Sequence, residues 1–510
     1  MNEELNRALE FISDEHISET AAYQKKPFPW VKAVAAVLAV VIGWGAIWYA
    51  FDRPPAVISP TVSTSDGPVI QSPTIQTEAT TPIGPIVVPL ANLVASPEYP
   101  KMMVCPVYAN YEDKDEYYDA LREWYKDKDA LYDQPTGYAD NLSDFWAKSI
   151  PEFLSGEGNR AYSPLNVYLA LAMLAEVSGG ESRQQVLDLL GADSMEALRT
   201  QAGHVWNAHY SNDGKTTSLL ANSLWLDEMY NFKNDTIQAL ADNYYASVFH
   251  GNLGTEELNE QLRAWINFQT GGLLREQTEN AALSEDSVFA LVSTLYFAAD
   301  WSEYFDADLT EDAVFHCKDQ DLTTVFMNRA IKSGTYYWGK DFGAVRLELN
   351  SGAELNSGSV WLILPDEDKT MEDVLNSGEY LKMTQSPTCW ENKQNLNINL
   401  SVPKFDISAQ ADLIRGMKNL GLSDVFDDST ADFSPMTDTK NLFLGKIDHT
   451  VRVAVDEAGV IAAAYTVMDF LLNSGFPTNE EIDFVLDRPF LFVVSSHDQL
   501  PLITGVVEQP

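Results

Sequence analysis

The sequence predicts an α+β fold rather than a regular alternation of strands and helices. Helix-period stretches gather between Leu142 and Leu190, strand-like apolar runs become frequent after Val288, and no internal repeat relates the two parts. With 510 residues, 45% of them hydrophobic, the chain can bury one large core or two ordinary ones. A formal charge of −42 argues against nucleic-acid backbones as partners and disfavours anionic lipid headgroups, while it suits basic partners. Cys105, Cys317 and Cys389 give no disulfide framework; one bridge with a free thiol, or three free thiols, both fit.

In chain order, residues 1–29 are polar with one helical piece, ELNRALEFI. Ala33 to Phe51 is uncharged and long enough to cross a bilayer. Lys25, Lys26 and Lys32 precede it and Arg53 alone follows closely, which keeps the amino end in the cytoplasm. The stretch starts too far from the terminus for a cleaved signal and lacks a small-residue exit, so residues 30–51 are expected to be an uncleaved, single-pass membrane anchor. Residues 52–101 are rich in Pro, Thr, Ser and Val, the composition of an extended tether. Residues 102–139 turn aromatic and acidic, with one amphipathic helix expected to pack against the domain that follows.

Residues 140–510 form the globular domain. Leu142, Phe145, Trp146, Ile150 and Phe153 recur at helical spacing as a core-facing stripe. Ser163-Pro164 is a helix start, a capping residue followed by proline in the first turn, and LNVYLALAML continues it. Gly179-Gly180 is expected to end that helix, with RQQVLDLLG as the next. Val288 to Ala298 is nearly unbroken apolar sequence, as for a strand covered on both faces. SVWLILP, VRVAV, FLFVV and LITGVV read as further strands.

Signatures of catalysis and metal binding are missing: there is no G-x-S-x-G, HExxH, CxxC, P-loop or EF-hand spacing. His204 and His209, five apart, fit one helix face poorly, so neither a metal nor another cofactor is expected, and the chain does not read as an enzyme. The informative stretch is DEAGVIAAAYTVMDFLLNS, Asp456 to Ser474. It follows the strand-like VRVAV and leads into SGFPTNEEID, a long polar loop marked by Gly and Pro. Strand-forming side chains set in a long exposed loop are a strand without a sheet.

YSPLNVYLALAML (Tyr162 to Leu174), ANSLWLD (Ala221 to Asp227), LVSTLYFAADW (Leu291 to Trp301), WLILPDE (Trp361 to Glu367), VPKFDI (Val402 to Ile407), LGLSDVFDDSTADFSPMTD (Leu420 to Asp438), VAVDEAG (Val453 to Gly459) and RPFLFVV (Arg488 to Val494) occur in that order. In these pieces the chain resembles the serpins, protease inhibitors that insert their own cleaved loop into a sheet. The resemblance runs from about Asn141 to Pro510 and implies the serpin fold: a large central mixed or antiparallel sheet, two further sheets, eight to nine helices and an exposed reactive loop, here about residues 457–487. A monomer whose partners are serine proteases is implied.

Insertion constrains the loop. Alternate residues of the new strand point inward, so bulky, charged or proline residues there block it. By resemblance Gly459 is the hinge glycine and Glu457 precedes it. Val460, Ala462, Ala464 and Thr466 then face inward, and Ile461, Ala463 and Tyr465 outward. The inward residues are small or β-branched, which favours an active inhibitor over an inert ligand-binding or adhesion module. Val460 departs from the usual Thr or Ser, and Tyr465 is large. Family spacing places the reactive bond at Asn473–Ser474, although this loop runs longer than is common. No Lys or Arg lies between Val453 and Asp487, so a trypsin-like pocket, which needs a cation, is disfavoured. Phe470, Leu471 and Leu472 suit chymotrypsin-, elastase- or subtilisin-like enzymes, and Asn473 suits an asparagine-directed cysteine protease. Leu472 and Asn473 both stay open as the cleavage-determining residue.

The resemblance also implies a sheet-opening cluster at Ser163, Asn166, Ser293 and His449. The family has Ser at the position of Asn166 and Asn at that of Ser293, an exchange expected to compensate if the two side chains touch. Where the loop leaves the sheet, Lys404, Glu457 and Trp301 match a charge pair and a buried indole. Together with the anchor, this describes a bacterial-type, membrane-tethered inhibitor facing the outside of the cell. A surface hydrolase has little support.

Overall fold

The structure, a computed structural model, describes residues 91–510 apart from 215, 271–273, 280, 286, 350–357 and 461–479. The anchor stretch 30–51 and its flank 1–29 lie outside the described residues, and among those described no helix is long and apolar enough to cross a membrane. Among the described residues seventeen strands occur, beginning with β1 Leu93–Ala95, β2 Arg160–Tyr162, β3 Ser211–Asn212, β4 Thr216–Asp227, β5 Ala246–Gly251, β6 Phe289–Asp300, β7 Glu311–His316, β8 Asp321–Trp338 and β9 Phe342–Glu348. They continue with β10 Ser359–Pro365, β11 Lys393–Pro403, β12 Phe405–Asp412, β13 Ile447–Val455, β14 Gly459–Val460, β15 Glu481–Val485, β16 Phe490–Ser495 and β17 Pro501–Val507. Among the described residues there are eleven α-helices, ten of them from Leu142 onward, somewhat more than the eight to nine implied.

The first sheet is mixed and runs β1-β5-β4-β6-β14-β13-β12, with β3 beside β4. The second runs β15-β11-β8-β9-β10-β16-β17-β2, with β7 beside β8. Among the described residues two sheets thus stand where three were implied. The reason is β8, whose 18 residues pair with β7 near one end, with β11 along most of their length and with β9 at the other end. A bend at Ser333, φ 53°, and a register shift between Leu396 and Ile398 let it turn from one face to the other without breaking.

Helix Pro164–Val177 is apolar on nearly every side and is buried on nearly every side, as such a helix must be. Its one buried charge, Glu176, takes two 2.6 Å hydrogen bonds from Arg199 and one of 3.0 Å from the Tyr244 hydroxyl. The expected glycine stop lies one step late: the helix ends at Val177 on Ser178, and Gly180 opens the next helix, Gly180–Leu190. Leu142, Phe145, Trp146 and Ile150 line the core as their spacing requires, while Phe153 is only half-buried.

The acidic lead-in contains helix Lys114–Tyr132, which turns Trp124 and Lys128 into the domain. The stretch read as a tether is also shorter than expected at its carboxyl end: Leu93–Ala95 adds an antiparallel edge strand to β5.

Candidate functional site

The first sheet is closed at one end and parted at the other. β6 and β13 pair directly, in parallel, from Leu291–Ile447 to Thr294–Thr450. At the far end β14 stands between them, with Val460 opposite Val455 on one side and Gly459 and Val460 opposite Asp300 and Ala299 on the other. Between these two zones, Leu295–Ala298 and Val451–Ala454 share no ladder among the described residues. Gly459 and Val460, read from sequence as the start of an uninserted hinge, already form a short strand and are both buried.

The turn that delivers β14 is held from one side. Trp301, 1% exposed, donates its indole N–H to the Asp456 carbonyl at 2.8 Å and its backbone N–H to the Ala458 carbonyl at 2.9 Å. Phe305 donates its backbone N–H to the Glu457 carbonyl at 3.0 Å. Asp456 closes the turn by accepting from the amides of Ala458 and Gly459 at 2.8 and 3.2 Å. Glu457 pairs with Lys404 at 2.6 Å and accepts from the Thr310 hydroxyl at 3.0 Å. Burial pushes the Glu457 carboxyl upward, but the hydrogen bonds from Lys404 and Thr310 outweigh it, and the group titrates below the ordinary carboxylate value.

Beneath the closed end lies the polar cluster. Ser163 donates its hydroxyl to the Leu502 carbonyl at 2.7 Å and its backbone N–H to Nε2 of His449 at 3.0 Å. Since that nitrogen accepts, the His449 proton sits on Nδ1, which finds no partner among the described residues. Burial drives the imidazole pKa down to about 4, so the ring is neutral at ordinary pH. Ser293 is register neighbour to both His449 and Asn222, and donates to the Asn222 side-chain oxygen at 2.9 Å.

The expected contact between the Asn166 and Ser293 side chains does not form. Ser293 reaches the Asn166 backbone carbonyl at 3.4 Å, and both atoms of the buried Asn166 amide lack a partner among the described residues. Asn222 has taken the place as Ser293's partner. Sequence reading also missed Asp456, Thr310 and Phe305. Asn222 lay inside the ANSLWLD motif, and Asp456 carried the signal of a carboxylate three residues before glycine; nothing marked the other two.

Glu457, Gly459, Val460, Lys404 and Trp301 therefore meet where the loop leaves the sheet, and Ser163, Asn166, Ser293 and His449 meet beneath its closed end. The remaining hinge residues, Ala462, Ala463, Ala464 and Thr466, lie outside the described residues. So do Phe470, Leu471, Leu472, Asn473 and Ser474. Among the described residues no group of three or more His, Cys, Asp or Glu is placed to hold a metal ion.

A family model described as serpin (serine protease inhibitor) matches residues 142–510. The chain is similar to Serpin-ZX of Arabidopsis thaliana, 27% identical over 376 residues, which are 71% of this chain and 93% of that protein. It is similar also to the leukocyte elastase inhibitor of Equus caballus, 29% identical over 344 residues, 66% of this chain and 89% of that one. Among solved structures, the thermophilic serpin tengpin in its native state matches with a TM-score of 0.64 at 24% identity, over 74% of this chain and 95% of that one. The two relatives named come from a plant and an animal, so they lend nothing to a bacterial-type envelope.

Proposed function

The chain belongs to the serpin family, and we propose that it traps serine proteases by drawing its own cleaved loop into the gap between β6 and β13. As a serpin it is a protease inhibitor and not an enzyme. The observation that carries the trapping mechanism is β14, a two-residue strand standing between partners that pair directly farther down.

A protease that attacks the loop forms an acyl-enzyme. Insertion of the freed segment as a central strand carries the enzyme away before water completes the cleavage. About fifteen inserted residues would gain a double ladder of backbone bonds, each worth roughly 0.5–1.5 kcal/mol net. The uncut molecule is then a kinetically trapped state. Extending the observed register supports this course. Val460 lies opposite Ala299 and Val455, so Thr466, six residues on, falls between Ser293 and His449. Its inward hydroxyl would arrive at the cluster that holds the Asn166 amide and His449 Nδ1, both without a partner among the described residues.

The targets are proteases with apolar primary specificity, of the chymotrypsin, elastase or subtilisin kind. Phe470, Leu471 and Leu472 and the absence of Lys and Arg from the loop support this, as does the elastase inhibition in the equine relative's name. Cleavage after Leu472 serves those enzymes, and cleavage after Asn473 would serve an asparagine-directed cysteine protease. The protein works as a monomer at the surface of the cell, held by the uncharged stretch Ala33 to Phe51, with its domain outside.

Incubation with chymotrypsin, elastase and subtilisin, followed by denaturing electrophoresis, tests the reading. A complex that survives SDS is expected, and mass spectrometry of the released carboxyl-terminal fragment gives the cleaved bond. Quantitative loop cleavage with no complex and no rise in melting temperature would replace the inhibitor with an inert ligand-binding or adhesion module.

A further inference from the structure

We propose that the lead-in segment is fastened to the domain by an acid-sensitive clasp centred on His497, which releases helix Lys114–Tyr132 as the surroundings acidify. Five titratable residues from the domain and the lead-in converge there with Lys128. The Tyr132 ring, at the end of that helix, stacks on His497 with centroids 3.9 Å apart and planes 17° from parallel. Lys128, 1% exposed, lies over the rings of Trp124 and Tyr132 at 5.0 and 5.8 Å and pairs with Asp213 at 2.9 Å. Tyr138, farther along the lead-in, donates its hydroxyl to Asp498. From the domain, His209 meets Asp498 at 3.1 Å, and its ring centroid lies 5.8 Å from that of His497.

The charges balance only while His497 is neutral. The Nδ1 of His209 lies 2.6 Å from the Val205 carbonyl, which can only accept, and its Nε2 faces the Asp498 carboxylate, so both nitrogens carry protons. Burial pulls the His209 pKa down, but Asp498 and the Val205 carbonyl outweigh it and the pKa is raised. Lys128 and His209 are then two cations facing two anions, Asp213 and Asp498. A proton on His497 adds a third cation in a half-buried place, beside His209 and against a ring that already carries Lys128.

His497 accordingly titrates at about 4. Burial is the main cause, His209 and Lys128 reinforce it, and Asp498 opposes it. Undocking takes Tyr132 and Lys128 away from His497, so its pKa rises from there toward the ordinary value near 6.5. A histidine depressed in the docked state stabilises docking fully above the free value and loses that contribution as pH falls from there toward 4. His209 has the opposite sign, but both it and Asp498 belong to the domain and stay together when the lead-in leaves. Asp498 is held far below the ordinary carboxylate range, since its partners His209, His497 and Ser496 outweigh its burial, so it stays ionised throughout.

Amide hydrogen exchange on the full chain at pH 7.5 and 5.0, corrected for intrinsic rates, reads the clasp. Peptides from 114–132 should lose protection at pH 5.0, by up to about 25-fold, while helix Pro164–Val177 keeps its own. His497→Phe keeps the stack and removes the proton site, so the acid-dependent loss should vanish. Equal protection of 114–132 at the two pH values, or the same loss in His497→Phe, overturns the clasp. Should that variant fail to fold, Tyr132→Ala serves instead: it should expose 114–132 already at pH 7.5, and unchanged protection there overturns the proposal equally.

Discussion

Gly459 runs so close to Ala299 that a Cβ placed on it would lie 2.3 Å from the Ala299 carbonyl oxygen and 2.9 Å from the Cα of Asp300. No rearrangement of a flexible side chain relieves such a contact, because the obstacle is the backbone of β6. Gly459→Ala should therefore expel β14 from the sheet and cost on the order of 1–3 kcal/mol. Urea unfolding gives the stability, and the number of inhibitor molecules cleaved per protease trapped should rise.

Lys404 and Glu457 fasten the turn before that strand. A carboxyl depressed by folding contributes stability that is complete above its unfolded value near 4.3 and is lost as pH falls through the lower folded value. Glu457→Gln should cost about 1 kcal/mol at pH 7, since both side chains are partly exposed. It should also flatten the decline of stability between pH 5 and 3. Urea midpoints of both proteins across that range check it.

His449 works in the other pH window. Its neutral ring is favoured by the fold, so its contribution is complete above about 6.5 and falls away toward pH 4, by up to about 3 kcal/mol. His449→Gln should remove that dependence while His497→Phe removes its own share. Denaturation curves of the two single variants and the double variant separate the contributions.

Asn166 carries two buried amide atoms without partners among the described residues. Asn166→Ser should raise native stability by about 1 kcal/mol by removing them. Because the Asn166 side chain does not meet that of Ser293, adding Ser293→Asn should bring no further gain and should lower stability by breaking the 2.9 Å bond to Asn222. A double-mutant cycle in urea decides between addition and compensation.

Thr466 is predicted to travel farthest into the sheet among the hinge residues. Thr466→Arg should leave the uncut protein's stability within about 0.5 kcal/mol, let the loop be cleaved, and abolish the SDS-stable complex. Electrophoresis with an elastase-like enzyme shows the outcome.

Much of this architecture was legible in local patterns. Ser163-Pro164 does start a helix, and the apolar run from Val288 does become β6, because capping and two-sided burial leave marks within a few residues. What escaped depends on residues far apart in the chain. Thr310 reaches Glu457 across 147 residues and Ser293 reaches Asn222 across 71, and neither partner bears a mark of the other. The joining of two sheets through β8 was hidden for a similar reason: the bend at Ser333 comes from a non-glycine residue at positive φ, which composition does not announce. The lead-in looked like a helix but not like a clasp, since Lys128 reads as a solvent charge until Asp213 is folded beneath it.

On the proposed trapping mechanism, which races against water, the two residues of β14 would change what limits the rate. Beginning a new strand is slow because chain ends must be brought together before any rung rewards them. Here the first rungs exist before any enzyme arrives, with Gly459 and Val460 already paired with β6 and Val460 also with β13. Capture would then proceed as the closing of a zip from a tooth already engaged. Nucleation would be moved from the moment of attack to the moment the protein itself folds.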